Sequence, residues 1–200
     1  MTKLTGLLAE LEGTWARKGF DRFDRLRPGL AEDVVRRSLT GLPVPTEIVE
    51  WFGWHDGQVG RAEGVTLAPS AFTPLGLESA EYASLMQQAI ARGADPNLVG
   101  EQKELLDPGY YWEESWLPLG EINGETWLVA DLGRDSATAA VRVVNWTDED
   151  FRSIRADSLA TMVRLWLDAP DEHWAWSSPA GQWKTRPEIL SSEALRSGLF

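Results

Sequence analysis

Apolar side chains recur at intervals of three and four residues in five stretches of the chain, which is the spacing of a helix with one apolar face. These stretches predict helices that begin near residues 4, 31, 46, 78 and 158. Thr46 is a suitable N-cap for the third helix, and Asp157 or Ser158 for the last. Prolines and glycines at residues 28–29 and 41–45 separate the second and third helices from their neighbours.

Three of these helices have well-defined apolar stripes. The stripe of the first helix consists of Leu4, Leu7, Leu8, Leu11 and Trp15. The stripe of the fourth helix consists of Tyr82, Leu85, Met86, Ala89 and Ile90. The stripe of the last helix consists of Leu159, Met162, Val163 and Trp166.

Short apolar stretches rich in small and β-branched residues predict four strands, at residues 65–68, 116–119, 126–130 and 139–146. The dipeptide Asn123-Gly124 lies between the second and third of these strands. It is a strong signal for a hairpin, because both residues tolerate a positive φ. Asp56-Gly57 predicts a tight turn, and the stretches 69–76 and 92–111 predict loops.

Helices, a meander of strands and a closing helix form the element order of an α+β protein. A length of 200 residues, of which 43% are hydrophobic, allows one sizeable core. We therefore expect a single domain, in which a mainly antiparallel or mixed sheet of short strands packs against helices from both chain ends. Residues 1–26 contribute an N-terminal helix. Residues 169–200 contribute a tryptophan-containing tail that packs on the domain as irregular structure.

The chain carries a formal net charge of −12, and the charge is unevenly distributed. Residues 101–150 contain twelve acidic and three basic residues, whereas residues 1–40 contain six acidic and eight basic residues. An acidic surface repels nucleic-acid phosphates and anionic lipid, so we expect the protein to bind neither a nucleic acid nor a membrane. The same surface attracts a basic protein partner. The alternative is a face whose charges only keep the protein in solution.

Three features of the sequence favour a cytoplasmic location. No run of about 18 apolar residues is present that would span a membrane. The N-terminal apolar stretch is interrupted by Glu10 and Glu12, unlike a signal peptide. The chain has no cysteine, which also excludes disulfide bonds, thiolate nucleophiles and cysteine-ligated zinc.

Groups with catalytic potential are sparse. The two histidines, His55 and His173, are far apart in sequence, and His55 lies at a helix-to-turn junction where a hydrogen bond to backbone is the usual role. Glu113-Glu114 and the acidic residues 148–150 lack the ligand spacing of a calcium loop. Neither a glycine-rich phosphate loop nor a Gly-x-Ser-x-Gly motif is present. We therefore expect no catalytic residue, no cofactor and no metal site.

Eleven tryptophans are the most unusual feature of the composition. Trp15, Trp127 and Trp166 lie on apolar stripes or strands, and we expect them in the core. An exposed tryptophan is a frequent hot spot of protein interfaces, since it buries a large area at low cost in entropy. Aromatic faces also stack on sugars, so a carbohydrate-binding module is the alternative from another class of function.

One aromatic and acidic run is the best candidate for a partner-binding patch. It lies at the end of the long predicted loop and consists of Tyr110, Tyr111, Trp112, Glu113 and Glu114. Aromatic side chains beside carboxylates are the combination expected on a surface that binds a basic protein.

The order of several short motifs resembles that of SUKH domains. The first half has Arg27-Pro28-Gly29-Leu30, a helix, Leu42-Pro43, an apolar helix and His55-Asp56-Gly57. The second half has residues 116–119 (Trp-Leu-Pro-Leu), residues 127–132 (Trp-Leu-Val-Ala-Asp-Leu) and a closing helix at 158–167. The similarity covers about residues 27–168. It departs from the family pattern at residues 138–144, which lack the family's glycine, and in the tail after residue 170.

The resemblance implies a non-catalytic scaffold that binds proteins. The SUKH superfamily includes bacterial immunity proteins that bind and neutralise polymorphic toxins, and also fungal regulators of cell-wall synthesis. A toxin with nuclease activity needs a basic face for its substrate, which an acidic inhibitor complements. The resemblance also favours a structural turn role for Asp131 over a functional one.

Overall fold

A computed structural model of the chain describes residues 4–60, 66–67, 72–93, 112, 114–122, 124, 126–133, 142–147, 153–169, 174–177 and 182–185. The helices within these residues are α1 (Leu4–Arg17), α2 (Glu32–Ser38), α3 (Thr46–Trp54), α4 (Leu77–Gly93) and α5 (Leu159–Asp168). The strands are β1 (Leu26–Pro28), β2 (His55–Gln58), β3 (Thr73–Pro74), β4 (Trp116–Ile122), β5 (Thr126–Asp131), β6 (Arg142–Thr147), β7 (Ser153–Ala156), β8 (Trp174–Ser177) and β9 (Gln182–Thr185). The protein is α+β, as the sequence predicts.

The central sheet is antiparallel, with the strand order β3-β4-β5-β6-β7. β4 and β5 form the hairpin predicted from Asn123-Gly124, and Gly124 has a φ of 77°. β6 overlaps the predicted strand at 139–146, of which residues 139–141 lie outside the described part. β3 occupies a stretch predicted as loop. The loop prediction is wrong for these two residues. A strand of two residues is too short to show the alternation of apolar and polar positions by which a sequence reveals a strand.

The helices from the two chain ends pack on each other and close the core. α1 contacts α3 and α5, while α4 packs along β4. The predicted stripes of α1 and α5 are buried in full, which confirms both: Leu4, Leu7, Leu8, Leu11, Trp15, Leu159, Met162, Val163 and Trp166. α3 adds Ile48, Trp51 and Phe52 to the same core.

The stretch His55–Gln58 forms a strand, not the tight turn predicted from Asp56-Gly57. It pairs with β1 as a separate two-stranded ribbon. Gly57 has a φ of 71°, and a β-carbon on it would lie 2.2 Å from the backbone nitrogen of Gly76. The glycine of Asp56-Gly57 is therefore needed for a positive φ and for the close approach of the Gly76 backbone. Both features occur within a two-stranded ribbon in this chain.

The described part of the tail is a β-hairpin, β8–β9, where the sequence predicts irregular structure. Trp183 stacks on Phe20 with ring centroids 5.6 Å apart and planes inclined by 6°. Trp176 meets the same ring edge-on at 4.8 Å, and its indole nitrogen donates to Asp21 Oδ1 at 2.9 Å. The hairpin thus packs on the segment that follows α1.

Two caps hold the N-terminus of α5. Ser158 Oγ accepts a hydrogen bond from the Thr161 backbone N–H at 2.9 Å, which confirms Ser158 as the N-cap. The Glu47 carboxylate accepts from the backbone N–H groups of Leu159 and Ala160 at 3.0 and 3.2 Å. Glu47 thereby satisfies donors that a helix start leaves unpaired and carries negative charge to the positive end of the helix dipole. The prediction of Thr46 as the N-cap of α3 is wrong, because Thr46 is the first residue of the helix. The N-cap is Pro45, whose side chain makes no capping hydrogen bond.

The contact of Glu47 with α5 predicts that removing the Glu47 carboxylate lowers the stability of the protein measurably. Glu47→Gln should lower the free energy of unfolding by about 1 kcal/mol, because glutamine offers one acceptor oxygen and no charge. Glu50→Gln in the next turn of α3 is the matched control, and it should change the value by less than about 0.5 kcal/mol. Urea unfolding followed by tryptophan fluorescence measures both. Equal effects of the two substitutions would contradict the capping role.

Candidate functional site

His55, the first residue of β2, has both ring nitrogens within hydrogen-bond distance of acceptors. Nδ1 lies 2.9 Å from the Arg27 carbonyl oxygen, and Nε2 lies 2.7 Å from Glu12 Oε1. Both ring nitrogens are thus engaged with acceptors of the protein itself, and the imidazole ties α1 to the β1–β2 ribbon.

Trp54 completes this arrangement. Its indole nitrogen donates to the same Glu12 oxygen at 2.5 Å. The centroids of the Trp54 ring and the His55 imidazole lie 4.8 Å apart. Glu12 thus serves two donors from the end of α3 and the start of β2. The surrounding contacts are those of a structural junction, which matches the role predicted for His55.

Asp56 links the same ribbon to α4. Its Oδ1 accepts a hydrogen bond from the backbone N–H of Leu77, the first residue of α4, at 2.7 Å. Its Oδ2 lies 3.7 Å from a guanidinium nitrogen of Arg27, in a partly exposed ion pair. The two sequence motifs at residues 27–30 and 55–57 therefore meet in space, and the contacts they make hold helices in place.

Asp131 has a local role at the end of β5. Its Oδ1 accepts from the Gly133 backbone N–H at 3.0 Å and from Ser115 Oγ at 3.3 Å. These bonds close the turn after the strand and join it to the start of β4. They are the turn contacts that the sequence motifs favour for this residue.

The predicted binding patch at 110–114 divides between the core and the surface. Trp112 is 5% exposed, meets Trp116 and Trp127 edge-on at 5.5 and 6.2 Å, and donates to Ser84 Oγ at 3.3 Å. Its indole belongs to the core and is not offered to a partner. Glu114 is exposed. Tyr110, Tyr111 and Glu113 lie outside the described residues, and their part in a patch stays a prediction.

An exposed apolar surface lies on α4 instead. Tyr82, Leu85 and Met86 are 65%, 64% and 43% exposed; we call these three side chains the α4 face. Among the side chains whose exposure is described, the other large exposed apolar one is Val59. The sequence predicts that these residues share one side of a helix, and that side points to solvent. Ala89 and Ile90 extend the stripe in sequence, and their side chains lie outside the described part.

Small residues explain why the stripe of α4 faces outward. The opposite side of the helix carries Ala80 and Ser84, which are buried against the sheet. Ser84 Oγ donates to the Trp116 carbonyl oxygen at 2.8 Å, a contact that brings the helix close to β4. The hydrophobic pattern alone favours the larger side chains for the core. That pattern carries no information on how closely small residues allow the helix to approach the strand.

Acidic side chains flank the α4 face. Glu78 and Glu81 lie in its first two turns, and burial together with the charge of Glu78 raises the pKa of Glu81 above its usual value. On the side of β4, Gln88 Nε2 lies 3.5 Å from the Glu114 carbonyl oxygen, so Glu114 is a neighbour of the helix. The apolar face therefore lies in a negative environment.

The tryptophan side chains that the structure describes are mostly internal. Seven are buried: Trp15, Trp51, Trp112, Trp116, Trp127, Trp166 and Trp176. Trp54 and Trp183 are half-buried and pack in the aromatic cluster around Trp15. Burial confirms the core positions predicted for Trp15, Trp127 and Trp166. None of these nine tryptophan side chains forms a flat exposed platform of the kind that stacks on sugars.

No group of three or more histidine, aspartate or glutamate side chains that could hold a metal ion occurs among the described residues. No described helix is both long enough and apolar enough to cross a membrane. The acidic residues 148–150 lie outside the described part.

Neither a protein-family model nor a curated protein sequence matches the chain. The resemblance to SUKH domains therefore rests on the sequence motifs at residues 27–30, 42–43, 55–57, 116–119 and 127–132.

The junction around His55 predicts that Glu12 is a stabilising residue. Glu12→Ala should lower the free energy of unfolding by about 2 kcal/mol, because it leaves the partly buried donors of Trp54 and His55 without their acceptor. Glu10→Ala, two residues earlier in α1, removes only an exposed ion pair with Arg164 at 3.7 Å. It should cost less than about 1 kcal/mol. Chemical denaturation of both variants is the measurement, and a Glu12→Ala variant as stable as Glu10→Ala would contradict the role.

Proposed function

We propose that the protein is a non-catalytic binding module of the SUKH type, an immunity protein that binds a basic toxin domain in the cytoplasm and neutralises it. One observation carries the proposal: an acidic protein with a net charge of −12 turns the apolar α4 face to solvent beside glutamates. Clustered exposed apolar residues with a polar rim are typical of protein-binding surfaces. The surrounding charge selects a cationic partner.

The contacts of the ionisable groups support binding over catalysis. The side chain with the most catalytic potential, His55, is bound through both nitrogens to protein acceptors. Asp56 and Asp131 are engaged with backbone N–H groups. These groups hold the fold, which leaves the surface of the module for recognition.

Two other functions follow from the same sequence features. A regulatory scaffold of cell-wall synthesis uses the same kind of fold and also acts by binding proteins. A carbohydrate-binding module requires exposed aromatic platforms, and the burial of the seven tryptophans named above counts against it. Titration with soluble glycans distinguishes a carbohydrate-binding module from a protein-binding one, because a sugar stacked on tryptophan quenches the fluorescence of that tryptophan.

Co-expression tests the immunity role directly. The immunity role predicts a toxin gene next to the gene of this protein, and the probe is the toxin domain of that neighbour, expressed in a host whose growth it arrests. We expect the protein to restore growth and to form a stable complex with the toxin domain in size-exclusion chromatography. Continued arrest together with the absence of a complex would overturn the immunity role.

Charge reversal in the acidic region gives a second readout with the same complex. Glu114→Lys should slow association and weaken its dependence on salt, since rim charges act mainly on the rate of encounter. Asp24→Lys changes the net charge equally at an exposed site outside the α4 face and is the control. Stopped-flow kinetics over a salt series measures both variants. Identical rates for the two would exclude Glu114 from the surface that the partner approaches.

A further inference from the structure

The α4 face has the layout of a small docking surface. At 100° per residue, Glu78, Tyr82 and Leu85 lie along the middle of the exposed side of the helix, with Glu81 and Met86 on its two flanks. The apolar centre is thus bounded by carboxylates at the N-terminal end of the helix. An apolar centre inside a charged rim is the usual anatomy of a protein interface.

The helix that carries this face is held from behind. Ser84 Oγ donates to the Trp116 carbonyl oxygen at 2.8 Å and accepts from the Trp112 indole at 3.3 Å. The Asp56 carboxylate binds the backbone N–H of Leu77 at 2.7 Å, at the start of the helix. A face fixed in this way needs little ordering when a partner binds, which lowers the entropic cost of association.

The charges around the face distinguish between two kinds of occupant. Burial raises the pKa of Glu81, and the negative charge of Glu78 raises it further. A second copy of this chain would bring further carboxylates to the same place, and like charges at an interface are costly. Lysine or arginine side chains would instead be attracted to Glu78, Glu81 and the neighbouring Glu114.

We propose that the α4 face is the docking site for an amphipathic helix of a basic protein, which places leucine-like side chains on Tyr82, Leu85 and Met86 and lysine or arginine beside Glu78 and Glu81. The inference rests on the proposed protein-binding function and assigns it a surface. The helix-on-helix mode matches the spacing of the three apolar residues, since i, i+3 and i+4 positions lie on one side of a helix and can pack against the apolar side of a second helix.

A designed peptide tests this surface without knowledge of the natural partner. The probe is a fluorescently labelled helical peptide of about 14 residues, with leucine on one side and lysine on the other. We expect it to bind the whole protein and to shift the NMR signals of α4. Leu85→Ala should weaken binding roughly tenfold, whereas Val59→Ala, at an exposed apolar site off the helix, should leave it unchanged.

Three results would overturn the proposal. The first is equal affinity for Leu85→Ala and the unaltered protein, or NMR shifts confined to residues outside α4. The second is equally tight binding of an analogue with glutamate in place of lysine. The third is a concentration-dependent dimer of the protein that Leu85→Ala abolishes, because the face would then bind a second copy.

The outcomes separate this inference from the proposed function. If the peptide binds at α4 and the toxin domain is not neutralised, the docking surface stands and the immunity role fails. If Tyr82→Ala and Leu85→Ala protect cells as well as the unaltered protein and the peptide does not bind, the immunity role stands and the surface is wrong. Both substitutions are at exposed positions where alanine favours the helix, so the fold is preserved.

Discussion

The carboxylate of Asp56 accepts a hydrogen bond from the backbone N–H of Leu77, and this contact joins the β1–β2 ribbon to the start of α4. The residues on either side of Asp56 reinforce the junction. His55 binds Glu12 of α1, and Gly57 allows the backbone of Gly76 to come closer than any side chain would permit. The position at which α4 begins therefore depends on this short strand.

The residues with the strongest chemical character thus serve the scaffold, and the proposed function rests on a part of the surface without unusual chemistry. α4 is fixed at its N-terminus by Asp56 and along its inner side by Ser84. Its outer side carries Tyr82, Leu85 and Met86, which remain exposed in an acidic protein. In general, exposed apolar area lowers the solubility of a protein, and negative charge around such an area opposes self-association and attracts cationic groups.

Long helices are predictable from the sequence because many residues contribute to the apolar pattern of each one. The stripe of α1, the stripe of α5 with its Ser158 cap and the hairpin at Gly124 all follow from local pattern. β3 and β7 are too short for a pattern, and each exists through its pairing with a neighbouring strand. The outward direction of α4 was beyond prediction, since it depends on the close contact of Ser84 with β4. Trp112 lay in a polar stretch, and only the tertiary structure reveals the pocket of tryptophans that buries it.

Oxidation of methionine by hydrogen peroxide tests the outward direction of α4 most directly, because the reaction rate follows the exposure of the sulfur. Met86 on α4 is 43% exposed, and Met162 in the core is 3% exposed, so one protein carries both the test and its reference. Mass spectrometry of peptides should show Met86 oxidised in the folded protein while Met162 stays intact until the chain is unfolded. Equal protection of Met86 and Met162 in the native protein would contradict an exposed α4 face.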